Sequence, residues 1–170
     1  MQFSSTRLNV LRATDWRAYL AAFGCIAGNI LLPQVCHQIP QGGLIWLPIY
    51  FFTLLGAYRF GLFVGLLTAI ASPVVNHLLF GMPGAAMLPA ILFKSVSLAL
   101  VAALVASKAK KAGLLALLLV IVGYQGIGMI AEWAMTGSFA TALQDVRLGF
   151  PGLLLQLFGG WIVLNLLSRR

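Results

Sequence analysis

A chain of 170 residues that is 61% apolar and only 8% Asp, Glu, Lys and Arg falls outside the soluble globular class, where about a quarter of residues are charged. One soluble core of this size has too little interior for so much apolar surface; a bilayer accepts it, so residues 1–170 read as a single all-α integral membrane domain. The formal charge of +8 comes from 11 Lys and Arg against 3 acids, and these bases sit singly or in short clusters between apolar runs, which excludes a nucleic-acid surface and matches the flanks of membrane spans.

A helix needs about 20 residues to cross the hydrocarbon. Residues 1–17, with Arg7, Arg12 and Arg17, read as a cytoplasmic segment. The sequence Ala22-Phe23-Gly24-Cys25 is faintly like a lipoprotein cleavage site. The apolar run before it covers only 18–23, however, shorter than the about 7–15 residues of a signal-peptide core. The run is therefore expected to be a retained first span, 18–35. The polar loop Cys36-His37-Gln38-Ile39-Pro40-Gln41-Gly42-Gly43 follows. A short second span, 44–58, carries Pro48 and is expected to be steeply set or broken near its outer end. The third, 61–79, contains Ser72-Pro73, which predicts a kink because proline lacks a donor and clashes with the preceding turn. Gly81-Met82-Pro83-Gly84 is a turn. The fourth span is 85–106 and the fifth 114–135; a polar stretch, 136–150, precedes the sixth, 151–167.

Six spans with both termini cytoplasmic put Arg7, Arg12, Arg17, Arg59, Lys108, Lys110, Lys111, Arg169 and Arg170 inside. Only Arg147 lies outside, and Lys94 falls within a span. That asymmetry is the one the positive-inside rule requires, and it predicts an inner-membrane bundle of six transmembrane helices.

Ionisable groups inside spans are expensive, by about 2.5–3.5 kcal/mol each on insertion scales, and are functional candidates for that reason. Lys94 is expected about 14 Å below the outer end of the fourth span and Glu132 about 5 Å below that of the fifth, at 1.5 Å per residue. Tyr124, Gln125, Gly128 and Glu132 share one helical face, with Trp133 adjacent at the interface. Lys94 and Ser97 share another. Asn76 and His77 close the third span, and Asn29 lies about two turns below the end of the first. These groups cluster in the outer half of the bilayer, which predicts an outward-opening substrate pocket made of Lys94, Glu132, Gln125, Asn76, His77, Asn29, Tyr124, Trp133 and Ser97. Each has a plainer reading. Lys94 could snorkel or pair structurally, Glu132 could be solvated, and Asn29, Gln125 and Gln156 could be interhelical glue.

Chemistry of other kinds is not written in the chain. There is no Gly-x-Ser-x-Gly, no His-Glu-x-x-His and no nucleotide-binding loop, and the acids Asp15, Glu132 and Asp145 show no paired carboxylates. An enzyme is not expected, nor a metal site or resident cofactor, since Cys25 and Cys36 lack standard ligand spacing. Ala18-x-x-x-Ala22 and Gly24-x-x-x-Gly28 permit close helix approach, either within the chain or to a partner.

Two stretches carry a likeness to a known family beside Ala18-x-x-x-Ala22 and the long first outer loop. They are Ser72-Pro73-Val74-Val75-Asn76-His77-Leu78-Leu79-Phe80-Gly81-Met82-Pro83 and Leu88-Pro89-Ala90-Ile91-Leu92-Phe93-Lys94-Ser95. Across essentially its whole length the chain resembles the substrate-binding S component of energy-coupling factor (ECF) vitamin transporters. The resemblance implies capture of a vitamin or cofactor precursor from the outer side and docking through Ala18 and Ala22 to a membrane T component energised by an ATPase pair. It also implies ligand contacts at Lys94, Gln125 and Glu132. Some cobalamin-type members use a cysteine on cobalt, which makes Cys36-His37 a candidate, with a loop cap as its alternative. A different class, the non-transporting membrane scaffold similar to the cell-shape protein family, would need neither Lys94 nor Glu132 to be charged and buried.

Overall fold

The computed structural model describes residues 10–109 and 112–168, and among them every regular element is helical. Arg7, Lys110, Lys111, Arg169 and Arg170, which entered the orientation argument, lie outside the described residues. The long elements are α1 (Trp16–Cys36), α4 (Leu62–Phe80), α5 (Leu88–Lys108) and α6 (Leu114–Thr136). A composite C-terminal rod joins α9 (Phe150–Leu154), a π-helical turn (Leu155–Gly159) and α10 (Gly160–Ser168). These five stretches, the last counted as Phe150–Leu167, are each long and apolar enough to cross a membrane. The chain is a multi-pass membrane protein.

The second expected span is not one helix. It is broken into α2 (Gly42–Trp46), a 3-10 turn (Pro48–Tyr50) and α3 (Phe51–Phe60). The break falls at Leu47, whose φ of 45° is left-handed, a conformation a side chain with a branched Cγ adopts only under tertiary constraint. Pro48 follows and supplies no amide donor to continue α2. α3 reaches only part of the way across at about 1.5 Å per residue. The fourth expected span likewise starts later, at Leu88 rather than 85.

Neighbouring helices run antiparallel, α4 on α5 and α5 on α6, with α3 packed between α1, α4 and α5. One end of the bundle gathers the α1–α2 loop, the α4–α5 turn and two short helices, α7 (Phe139–Ala142) and α8 (Gln144–Arg147). The opposite end gathers Val10, Gly61 and Ser107. The buried core consists of Tyr50, Leu54, Leu98, Leu117, Val120, Tyr124 and Leu164 among others, while Phe23, Leu78 and Leu115 are 70%, 75% and 71% exposed. Apolar side chains outside and inside alike are what lipid permits and water does not.

Small residues of α1 serve this internal packing. Ala18 and Ala22 are 0% and 2% exposed and pack with Val64 of α4, flanked by Phe60 and Phe63. The surface of Ala18 and Ala22 is therefore covered by the chain itself. Gly28 leaves room for the Phe52 ring, 2.7 Å from where a Cβ would stand.

Polar glue joins the same helices. Asn29 Nδ2 donates to Thr53 Oγ1 (3.0 Å) and Ser72 Oγ (3.3 Å), and its Oδ1 accepts from the Phe52 amide (3.1 Å). That amide lies in the first turn of α3, where no intrahelical acceptor exists. Asn29→Ala would orphan that amide and take away the donor that the Thr53 and Ser72 hydroxyls accept, leaving Thr53 its own bond to Ile49 O. A loss of about 1–2 kcal/mol is expected, read as a lowered thermal midpoint in detergent; an unchanged midpoint would remove Asn29 from the list of fold determinants.

Candidate functional site

Lys94 is six residues into α5 and Glu132 four from the end of α6. Side chains lean toward the N-terminus of their own helix. Because the two helices are antiparallel, Lys94 leans toward the α7–α8 end and Glu132 leans away from it, and the depth gap expected from sequence closes. Lys94 Nζ forms an ion pair with Glu132 Oε2. Its stem crosses Gly128, where an added Cβ would meet Lys94 Cγ at 2.5 Å. Glycine at that position is what lets the lysine lie flat.

A second carboxylate completes the group. Asp145, on α8, accepts from Lys94 Nζ at 2.7 Å. The expectation of no paired carboxylates is corrected here: Glu132 and Asp145 are 13 residues apart in sequence yet share one ammonium. Asp145 was missed because it sits in the polar 136–150 stretch, which shows no helical periodicity of its own. The available signal was the count of acids, since three in 170 residues leaves few partners for a buried lysine. The side chains are 3% (Lys94), 12% (Glu132) and 14% (Asp145) exposed, so the ammonium lies behind its carboxylates.

Two adjoining cavities open at this end. The smaller, about 130 Å³, is bounded by the three charged groups, Tyr50, Thr136 and Thr141 with an apolar remainder. The larger, about 280 Å³, lies among α1, α4 and α5 and includes His37, Asn76, Pro83 and Gly84. Leu44, Ile49, Met87 and Ile91 line both.

The other expected site residues divide between wall and support. Asn76 lines the larger cavity; its Nδ2 donates to Asn29 O (2.9 Å) and Ser72 O (3.1 Å). His77 is turned to the α4–α5 turn, with Nδ1 2.7 Å from Pro83 O, and is not a cavity wall. Tyr124 and Gln125 form a buried layer below: Tyr124 OH donates to Gln156 Oε1 (2.9 Å) and Gln125 Nε2 donates to Tyr124 OH (3.2 Å). Tyr50 stacks toward Tyr124 with ring centroids 5.8 Å apart, which couples this layer to the smaller cavity. Asn29 and Ser97 are buried and line neither cavity.

Trp133 lines neither cavity; it is 51% exposed and packs edge to face on Phe139 at 5.6 Å. Cys36 closes α1 half buried and His37 is exposed at the mouth of the larger cavity. Among the described residues no group of three or more His, Cys, Asp and Glu is gathered closely enough to hold a metal ion.

The triad can do two things. It neutralises a charge that the bilayer would reject, and it presents two carboxylates to whatever enters the smaller cavity. Compared with protein-family models, with curated proteins and with solved structures, the chain gives no match.

Proposed function

We propose that this chain is the membrane-embedded substrate-binding component of an energy-coupling factor importer, which takes a vitamin or cofactor precursor from outside the cell inner membrane. A membrane T component and an ATPase pair would supply the energy. The observation that carries this reading is the Lys94–Glu132–Asp145 triad beside a cavity of about 130 Å³. Three ionised groups buried in a membrane bundle next to open space are a solute site by default.

Orientation supports it. Arg12, Arg17, Arg59 and Lys108 belong to the end opposite the cavities and Arg147 to the cavity end, so the positive-inside rule turns the cavities outward. With the broken Gly42–Phe60 stretch counted as a crossing, there are six spans and both termini are cytoplasmic.

The double pairing of Lys94 favours one other reading, a scaffold in which the triad merely clamps α5, α6 and α8. Native mass spectrometry of the detergent-purified chain separates them. A co-purifying adduct of vitamin size is expected, depleted in Glu132→Gln and Asp145→Asn, which keep shape and hydrogen bonding while removing charge. A folded wild-type protein that carries no adduct, together with variants that keep every cellular phenotype, would leave the scaffold.

A further inference from the structure

The two cavities differ in what they ask of an occupant, and together they describe one ligand. Charge comes first. Lys94 contributes one positive charge, and Glu132 and Asp145 contribute two negative ones, so the group carries a net charge of −1. The carboxylates are the more exposed members and the ammonium is the deepest. A molecule entering the smaller cavity therefore meets negative charge before positive. Arg147, the one base on α8, is exposed and lines an adjoining surface depression that shares Thr141 with the smaller cavity, but it is not itself a wall residue of that cavity, so the charge at the wall is that of the triad. An anion is disfavoured there and a cation is not.

The larger cavity adds an independent demand. Asn76 is 2% exposed and lines that cavity. Both of its amide hydrogens are used, on Asn29 O and Ser72 O; since those partners are carbonyls, only the NH₂ group can face them. Asn76 Oδ1 is then the atom left over, and among the described residues it has no hydrogen-bond partner. A buried carbonyl oxygen without a donor is destabilising unless something supplies one. The rest of the wall is predominantly apolar, including Pro48, Ile49, Met82 and Ile91.

Resting on the binding role proposed above, we infer that the ligand is bipartite. A small organic cation places its ammonium-type group against Asp145 and Glu132, in partial competition with Lys94. Its uncharged, largely apolar body lies across Met87 and Ile91 in the larger cavity and donates an N–H or O–H to Asn76 Oδ1. Lys94 acts as a resident counter-cation that keeps the empty site stable until the ligand's own charge shares the carboxylates.

The test uses the full chain in detergent and four matched probes: tyramine, phenethylamine without the phenol donor, the neutral alcohol 4-(2-hydroxyethyl)phenol, and the anion 4-hydroxyphenylacetate. Tyramine is expected to raise the thermal midpoint most, phenethylamine less, and the alcohol and the anion little or not at all. Any co-purifying molecule is expected to be cationic at neutral pH. Asp145→Asn should weaken tyramine at least tenfold and erase the preference among head groups. Gly84→Leu should block the larger cavity and lose tyramine while keeping the unliganded midpoint, because a Cβ at Gly84 meets nothing within 4 Å.

A neutral or anionic co-purifying molecule, or an equal or stronger response to the anion, overturns the cationic ligand and leaves the binding role standing. Binding of tyramine that survives Gly84→Leu overturns the bipartite arrangement. No adduct and no response to any probe overturn this inference and the binding role together.

Discussion

Lys94→Met is expected to lower the stability of the fold by about 3–5 kcal/mol, the usual result of removing one partner from a buried ion pair. Methionine preserves most of the stem that crosses Gly128, so packing is nearly constant and charge is the variable. What remains is Glu132 and Asp145 facing each other at 12% and 14% exposure, with no cation between them. Their repulsion pushes α8 away from α6. The thermal midpoint in detergent should fall markedly, and the triple variant Lys94→Met, Glu132→Gln, Asp145→Asn should recover most of the loss because no unpaired charge is left. A midpoint unmoved by Lys94→Met would mean that water already screens the group, and the site would then have to be drawn as open.

The second large effect is expected from Gly152→Ala. A Cβ at that position would stand 2.5 Å from the Trp46 carbonyl carbon and 2.9 Å from Ile45 O, and closer still to Trp46 O. Every one of these atoms is backbone, so no rotamer change relieves the overlap; α9 must move off α2. Overpacking of this kind costs about 1–3 kcal/mol. The displaced segment carries Leu44 and Leu47, which wall the smaller cavity, so that cavity should be distorted along with the loss of stability, and under the proposed binding role any co-purifying adduct should be lost. Gly126→Ala is the matched control. It lies within α6 with nothing within 4 Å of its Cβ, and removing a helical glycine there should be neutral or slightly stabilising. Equal losses at both positions would show that the α2–α9 seam is not special.

These effects trace back to unequal legibility. The apolar runs that become α1, α4, α5, α6 and the C-terminal rod are visible in composition alone, because a bilayer imposes a length and a polarity on any segment that crosses it. Lys94 and Glu132 stand out for the same reason, as charges inside such runs. The 44–58 run is legible as an apolar segment, but its division into short helices is not, because Gln41 and Leu47 take left-handed conformations that no window of hydropathy registers. Trp133 neighbours Glu132 in sequence but does not line the smaller cavity with it, since one residue along a helix is a rotation of about 100°.

By itself, then, the order of residues determined that the chain lives in lipid, which segments enter it, and that a lysine and a carboxylate in the upper spans require an explanation. Only the tertiary structure decided that the explanation includes Asp145, that Ala18 and Ala22 are spent on Val64, and that two cavities meet at Met87 and Ile91. Hydrophobic length is a property of one segment read against its solvent. Which charges share a hydrogen bond depends on the path of the 136–150 connection through space, and local sequence constrains that path only weakly.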